Sequence, residues 1–294
     1  MNHLDDFFEF ATERENIRVR RETGQEPPWT PDPILANNFF CNVFREDDKV
    51  TRWFREEVRD PVAEDPMKAV LACAVFRWFN FIPTGEVLRP FLLEGIAHGP
   101  ALRDRLKELD QVVGGAYLIK SPAGMDKVDG LLECIVPVER AAGNLGWAAT
   151  KLNYSLEYLH GEIMNFPYLG RFMAYEIVTD LRHTIVGRDA EDIMTWASAG
   201  PGCARGLGWV VADDPSEFSY GSTRQQRAML VLMRELLVAS QDTRYWPFQR
   251  QWEMREVEHV LCEFAKYRAA QTGRRIKRKF NAHDRRSQRS PGDS

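Results

Sequence analysis

Cysteine is scarce in this 294-residue chain, with five residues at 41, 73, 134, 203 and 262. No two fall within the short spacing of a metal-binding pair, and their scatter excludes a disulfide framework. They are expected to be reduced thiols of a cytoplasmic protein. Long apolar runs are also missing. The longest, Ala69–Phe76, is far short of the roughly 20 residues that span a bilayer. Met1–Arg20 carries acids and bases throughout and has no apolar h-region, so neither a secretory signal nor a membrane partner is expected. No G-x-x-x-x-G-K-[ST] occurs, so the chain has no P-loop of its own and any kinase activity would have to come from another chain. No H-E-x-x-H and no zinc-deaminase signature occurs either.

What remains is 44% hydrophobic and 28% charged, a composition that folds. Charge is unevenly placed. Residues 274–289 hold eight Lys or Arg and one Asp, a net +7, whereas residues 1–273 carry −10. An acidic body with a basic tail suits a protein that touches nucleic acid through an arm; the plainer alternative is a solubilising tail. Composition divides the chain into an N-terminal helix with a Pro-rich segment (1–33), a helical body (34–273) and the basic tail (274–294).

Helical periodicity dominates that body. Helices are predicted over His3–Arg21, after Arg45 as far as Pro61, over Met67–Phe81, and over about 84–95, 100–110, 127–142 and 146–163. Met67–Phe81 is apolar almost all round and should be buried at the centre of a core. Ser222-x-x-Gln225 opens a helix with the stripe Met229, Met233, Leu236 and Leu237. A last helix carries Val257, Val260, Leu261, Phe264 and Tyr267 and stops at Gly273. Gly114–Ile119 is the one tract that could be a strand. The fold class is all-α.

Four tracts carry chemistry. Phe166–Glu176 reads as two apolar helices joined by Pro-Tyr-Leu-Gly, the layout of a helix-hairpin-helix. Its turn could offer backbone N–H groups to a DNA phosphate, with Arg171 adding charge; the alternative is an ordinary αα-hairpin. Gly200-Pro201-Gly202-Cys203-Ala204-Arg205-Gly206 approaches a dinucleotide fingerprint, but its third glycine is one place late and no strand precedes it. It could instead form an anion-binding nest around Gly200 and Gly202 with Arg205 as a clamp, or a loop with glycine caps. Asn37–Trp53 concentrates amides, aromatics and charges: Asn38 and Asn42 could read base edges, and aromatics could stack on an unpaired base. In Leu261–Arg268, Glu263 and Lys266 are neighbours on one helix face. His259 and Glu263, at i and i+4, could hold a metal, though such pairs are more often local surface contacts, and no ligand motif demands an ion.

Asn38–Trp53, Phe172–Asp180, Gly200–Leu207 and Leu261–Arg268, in that order, resemble the α-glutamyl/putrescinyl-thymine pyrophosphorylase group, which is grouped with the 5-hydroxymethyluracil DNA kinase helical domain. The resemblance spans about residues 34–280. It implies a fold similar to helix-hairpin-helix DNA glycosylases and a role in bacteriophage DNA hypermodification, in the cytoplasm of an infected bacterium. An amino acid or polyamine would displace pyrophosphate from activated 5-hydroxymethyluracil, with a DNA kinase as a further partner. On that reading Arg45, Arg205, Lys266 and Arg268 hold pyrophosphate and the DNA backbone, while Glu46, Asp180 or Glu263 binds the amine and accepts its proton. Phe40 and Trp53 would line a pocket for the flipped base. No cofactor is implied, although a divalent ion could help hold the pyrophosphate. A glycosylase Asp is not singled out among Asp180, Asp189 and Asp192, and the hairpin departs from that family's usual P-G-V-G. The competing readings are a non-catalytic DNA-binding module serving a modification kinase, and a base-excision glycosylase.

Overall fold

The computed structural model describes residues 1–115, 119–276 and 279–280. Among these residues the chain is all-helical, with twelve α-helices and no strand. In chain order they are α1 (Leu4–Glu22), α2 (Pro33–Asn37), α3 (Lys49–Phe54), α4 (Pro66–Phe79), α5 (Ile82–Glu94), α6 (Pro100–Lys107), α7 (Lys127–Leu152), α8 (Leu156–Met164), α9 (Arg171–Leu181), α10 (Pro201–Ala212), α11 (Thr223–Ala239) and α12 (Met254–Gln271). No described helix is long and apolar enough to cross a membrane. The region after Arg45 is more broken than its periodicity suggests. A 3₁₀ turn, α3, a π turn over Arg55–Arg59 and a 3₁₀ turn over Asp60–Val62 follow one another. Pro61 falls in the first turn of the last piece, where its missing N–H has no partner to lose, so the path runs on through it. Of the expected strand tract Gly114–Ile119, residues 116–118 lie outside the described residues, as do residues 277, 278 and 281–294 of the basic tail.

Contacts divide the chain into two units, one formed by 1–48 with 194–294 and the other by 49–193. Both composition boundaries, at 33 and 273, fall inside the first unit. The reason is aromatic packing. Phe7 of α1 meets Phe264 of α12 edge-on at 5.5 Å and Trp252 at 6.0 Å, and Phe8 stacks on Tyr245 at 4.9 Å. The N-terminal helix is therefore part of a core rather than an appendage. In the same unit α10 lies on α12 at backbone contact. A Cβ added to Gly206 would sit 2.0 Å from the Leu261 carbonyl oxygen, and one on Gly202 2.1 Å from Cys262 Sγ. The α11 stripe Met229, Met233, Leu236 and Leu237 is buried. Its Ser222 Oγ caps the Gln225 N–H at 3.4 Å, but the Gln225 side chain turns to the Ser219 N–H, so only half of the capping box forms.

The second unit is built round α4, buried along nearly its whole length. Asp65 opens this helix by accepting the Met67 and Lys68 N–H groups. Helix α7 runs ten residues past the predicted stop at 142 and takes in the start of the helix expected over 146–163; Gly146 lies inside it at a close approach, where a Cβ would be 2.3 Å from the Pro66 carbonyl oxygen. It ends at Asn153, in the left-handed region with φ 47°. Ser155 then caps α8.

Candidate functional site

In the first unit, residues 38–48 lie against α12, whose periodicity sets His259, Glu263 and Lys266 along one face at i, i+4 and i+7. Glu263 Oε2 accepts the Cys41 backbone N–H at 2.9 Å and pairs with Lys266 Nζ at 2.6 Å. That ammonium also sits over the Phe40 ring, 4.8 Å from its centroid. The Asn42 N–H donates to Asp48 Oδ1 at 2.9 Å, and its side-chain amide donates to the Asp47 carbonyl at 2.9 Å. From α1, Arg14 reaches the same segment. Its Nε donates to the Cys41 carbonyl at 2.9 Å and its Nη2 to Asn42 Oδ1 at 2.5 Å and the Phe40 carbonyl at 3.3 Å. His259 Nε2 lies 3.1 Å from the Asn42 carbonyl and 3.9 Å from Asp48 Oδ2. The short loop is thus held by a cation, a carboxylate and an imidazole at once.

Burial sets the protonation of this cluster. It pulls the His259 pKa below the ordinary imidazole value, against the pull of Asp48, so the ring is neutral at pH 7. Burial raises Asp48 above the ordinary carboxyl value, opposed by His259, the Asn42 N–H and Arg14. It also pushes the Cys41 thiol well up, with Asp48 and Glu263 adding to the effect. The site therefore brings a neutral imidazole together with the acidic side chains of Asp48 and Glu263 and with Lys266, a set that can bind an amine or an anion and take up a proton. Beside it Glu46 and Arg255 form a buried pair at 3.4 Å.

Of the expected site residues Trp53, Arg171 and Asp180 fall in the second unit and the rest in the first, where Asn38, Phe40, Arg45, Glu46, Glu263 and Lys266 belong to the 38–48 segment and α12. Several are engaged in ways that their sequence context does not show. Asn38 spends its amide within the fold, donating to the Ile34 carbonyl and accepting from Lys279 Nζ, each at 2.8 Å, so both ends are already engaged by the chain itself. Phe40 is 5% exposed, packed by Phe10 and Tyr267. Trp53 is 5% exposed, against Phe76 in the second unit. Both rings are core, which corrects the expectation that they line a base pocket. Arg45 is buried in its 3₁₀ turn. Arg268 pairs with Asp213 at 2.7 Å and lies over Trp209.

The nest at Gly200 is corrected too. The Gly200 N–H already donates to the chain's own Glu258 at 3.2 Å, while Gly202 and Gly206 serve the α10–α12 contact. Arg205 stands exposed on the outer face of α10. Asp180, in the second unit, is wholly buried and takes two hydrogen bonds from Arg77, so it has no surface at which to meet an amine. In the Phe166–Glu176 hairpin Gly170 has an extended φ of −73° and open space where a Cβ would be, whereas Tyr168 takes the left-handed position at φ 61°. The turn does not use the glycine's freedom. Arg171, at the start of α9, accepts through its carbonyl from His160 Nε2 at 2.9 Å.

Sequence reasoning misses Arg14, Cys41 and Asp48 as members of the site, and sets His259 aside. Cys41 and Asp48 lie within the Asn37–Trp53 tract, but nothing at residue 14 signals a partner 27 residues on.

A model of the 5-hmdU DNA kinase helical domain matches residues 1–275. The 5-hmdU DNA kinase of Bacillus phage SP10 is 24% identical over 289 residues, which cover 90% of this chain and 44% of that protein. The chain thus spans less than half of the curated relative it matches. No solved structure matches. With the helical model covering the chain from α1 through α12, this protein belongs to the 5-hmdU DNA kinase helical-domain family.

Proposed function

We propose that this chain is a DNA base hypermodification enzyme, joining an amino acid or polyamine to pyrophosphate-activated 5-hydroxymethyluracil in phage DNA. The amine nitrogen attacks the 5-methylene carbon, the carbon–oxygen bond to pyrophosphate breaks, and the amine's proton passes to a carboxylate. The observation that carries this reading is the Glu263–Lys266 pair against residues 38–42, inside the region matched by the family. In this reading Lys266 neutralises a leaving phosphate and Glu263 holds the amine and accepts its proton, so charge neutralisation and positioning supply the catalysis. Glu46, in the same segment and paired with Arg255, is the second carboxylate of this reading. The setting is the cytoplasm of a phage-infected bacterium.

A second reading is a non-catalytic helical module that presents DNA to a 5-hydroxymethyluracil kinase. The relative's name favours it, since the matched region is less than half of a kinase. Nucleoside mass spectrometry separates the two. DNA carrying 5-pyrophosphoryloxymethyluracil is incubated with the protein and a panel of amines. A new alkylated thymidine supports the transferase. Unchanged nucleosides, with stimulation of an added kinase, support the module. A released free base indicates a glycosylase and sinks both.

A further inference from the structure

The same loop and helix bring together three side chains that the transferase reading does not use. Cys41 Sγ, one Asp48 carboxylate oxygen and one His259 ring nitrogen all lie within 4.8 Å of one another, each partly buried. Ligands on a tetrahedral ion at metal–ligand distances of about 2.0–2.3 Å stand roughly 3.5 Å apart, so small side-chain rotations close the set. We infer that Cys41, Asp48 and His259 form a zinc site with an open fourth position.

Three features support this beyond proximity. First, the donors are of the right kind: a thiolate, an imidazole and a carboxylate are zinc's usual ligands, whereas calcium and magnesium take oxygen alone. Second, the groups behind the donors are already fixed. The Asn42 N–H holds Asp48 Oδ1 and leaves Oδ2 toward His259. The Cys41 N–H is held by Glu263, and Arg14 clamps the Cys41 carbonyl. Outer-shell bonds of this sort orient metal ligands. Third, Arg14 is 5% exposed, and its Nη1 is buried with no hydrogen-bond partner among the described residues. The charges that act on Arg14 include Asp48, Cys41 and Glu263. An unpaired guanidinium N–H on the residue whose Nε and Nη2 hold the Cys41 carbonyl and the Asn42 side chain suits an oxygen carried in the fourth position, either water or a phosphate oxygen. Charge also balances: the thiolate and two carboxylates face Arg14 and Lys266, and a divalent ion leaves little net charge.

This inference does not depend on the transferase reading, and its test uses no modified DNA. The full chain, stripped with a chelator and desalted, is titrated with zinc against a chromophoric chelator and separately with cobalt(II). One equivalent of each is expected, the cobalt form showing a thiolate-to-metal charge-transfer band. Cys41→Ser should abolish that band. Asp48→Asn and His259→Gln should each weaken zinc by more than about 10-fold, the low end of what even outer-shell partners contribute. Cys262→Ser, at the neighbouring thiol facing Gly202, should bind like the unaltered chain. Should Cys41→Ser fail to fold, Asp48→Asn keeps the side-chain volume, and a zinc-induced rise in Tm for the unaltered chain but not for Asp48→Asn serves instead. Substoichiometric binding, binding unchanged in the ligand variants, or equal loss in Cys262→Ser would overturn the site.

Discussion

Arg77 and Asp180 are locked together inside the second unit, where neither side chain has meaningful exposure. Arg77 Nε and Nη2 donate to the two carboxylate oxygens at 2.5 and 2.8 Å, and Arg59 Nη1 stands 4.0 Å away. A carboxylate so placed joins α4 to α9 and balances two buried cations. Asp180→Asn should therefore cost about 3–5 kcal/mol of stability, the usual result of leaving a buried charge uncompensated. Denaturant unfolding measures it. If the variant unfolds normally while activity vanishes, Asp180 is a catalytic acid after all and its burial is relieved during turnover.

Glu263 is the carboxylate at which a proton transfer is expected. Glu263→Gln keeps an oxygen to accept the Cys41 N–H, so the loop should stay in place. Turnover should fall roughly 10²–10⁴-fold, the range for losing a positioned general base. DNA affinity should hold. The check is a nucleoside time course beside a binding isotherm; equal turnover would remove Glu263 from the chemistry.

A pH effect follows from Glu256, whose carboxyl burial raises from its ordinary 4.5 to about 7, against the pull of Arg255. The folded chain keeps this proton where the unfolded chain has lost it. Its contribution to stability is therefore full below pH 4.5 and is lost as pH rises to about 7. At ~1.4 kcal/mol per pH unit the interval bounds the loss at ~3 kcal/mol. Glu256→Gln should flatten the stability profile between pH 5 and 7. Parallel profiles for the two proteins would show that Glu256 ionises normally.

Two glycine substitutions should move in opposite directions. Gly206→Ala drives a methyl into the Leu261 carbonyl and should separate α10 from α12, at a cost of about 2 kcal/mol or more. Gly161→Ala, inside α8 with open space at the Cβ, should stabilise by ~0.5–1 kcal/mol. Thermal melts of the two variants decide.

Much of the fold is legible in the sequence because apolar periodicity reports burial directly. The all-round apolar Met67–Phe81 forms the central α4, and the stripes of α11 and α12 face inward as their spacing predicts. What periodicity cannot show is the use of polar groups. An exposed acid and a buried one look alike in a sequence, so Asp180 passes for a base, and the amide of Asn38 passes for a reader of bases. Glycines mislead in the same way: Gly200-Pro201-Gly202 suggests a phosphate nest, yet the demand for small residues comes from α12, some sixty residues later. The candidate site is half visible. Its loop and helix stand out as blocks of unusual composition, but only tertiary packing sets Arg14 between them.

The basic stretch supplies another expectation. Cutting the chain after Phe280 removes Arg285, Arg286 and Arg289 while sparing residues 279 and 280. DNA binding should weaken, and its salt dependence should flatten by about 0.9 in log–log slope for each phosphate that is no longer neutralised. An unchanged slope in a salt titration would leave these charges as solubilisers.

The position of Phe280 gives that stretch a definite origin. Its N–H donates to the Asn37 carbonyl at 3.2 Å, Lys279 bridges to Asn38, and its ring lies beside Trp29. The chain beyond it therefore starts beside a point four positions along the chain from Cys41. Cations anchored there would do more than add affinity. If they bind nucleic acid, they raise its local concentration at the rim of the loop, and their loss is expected as a higher KM at low substrate that fades when DNA saturates.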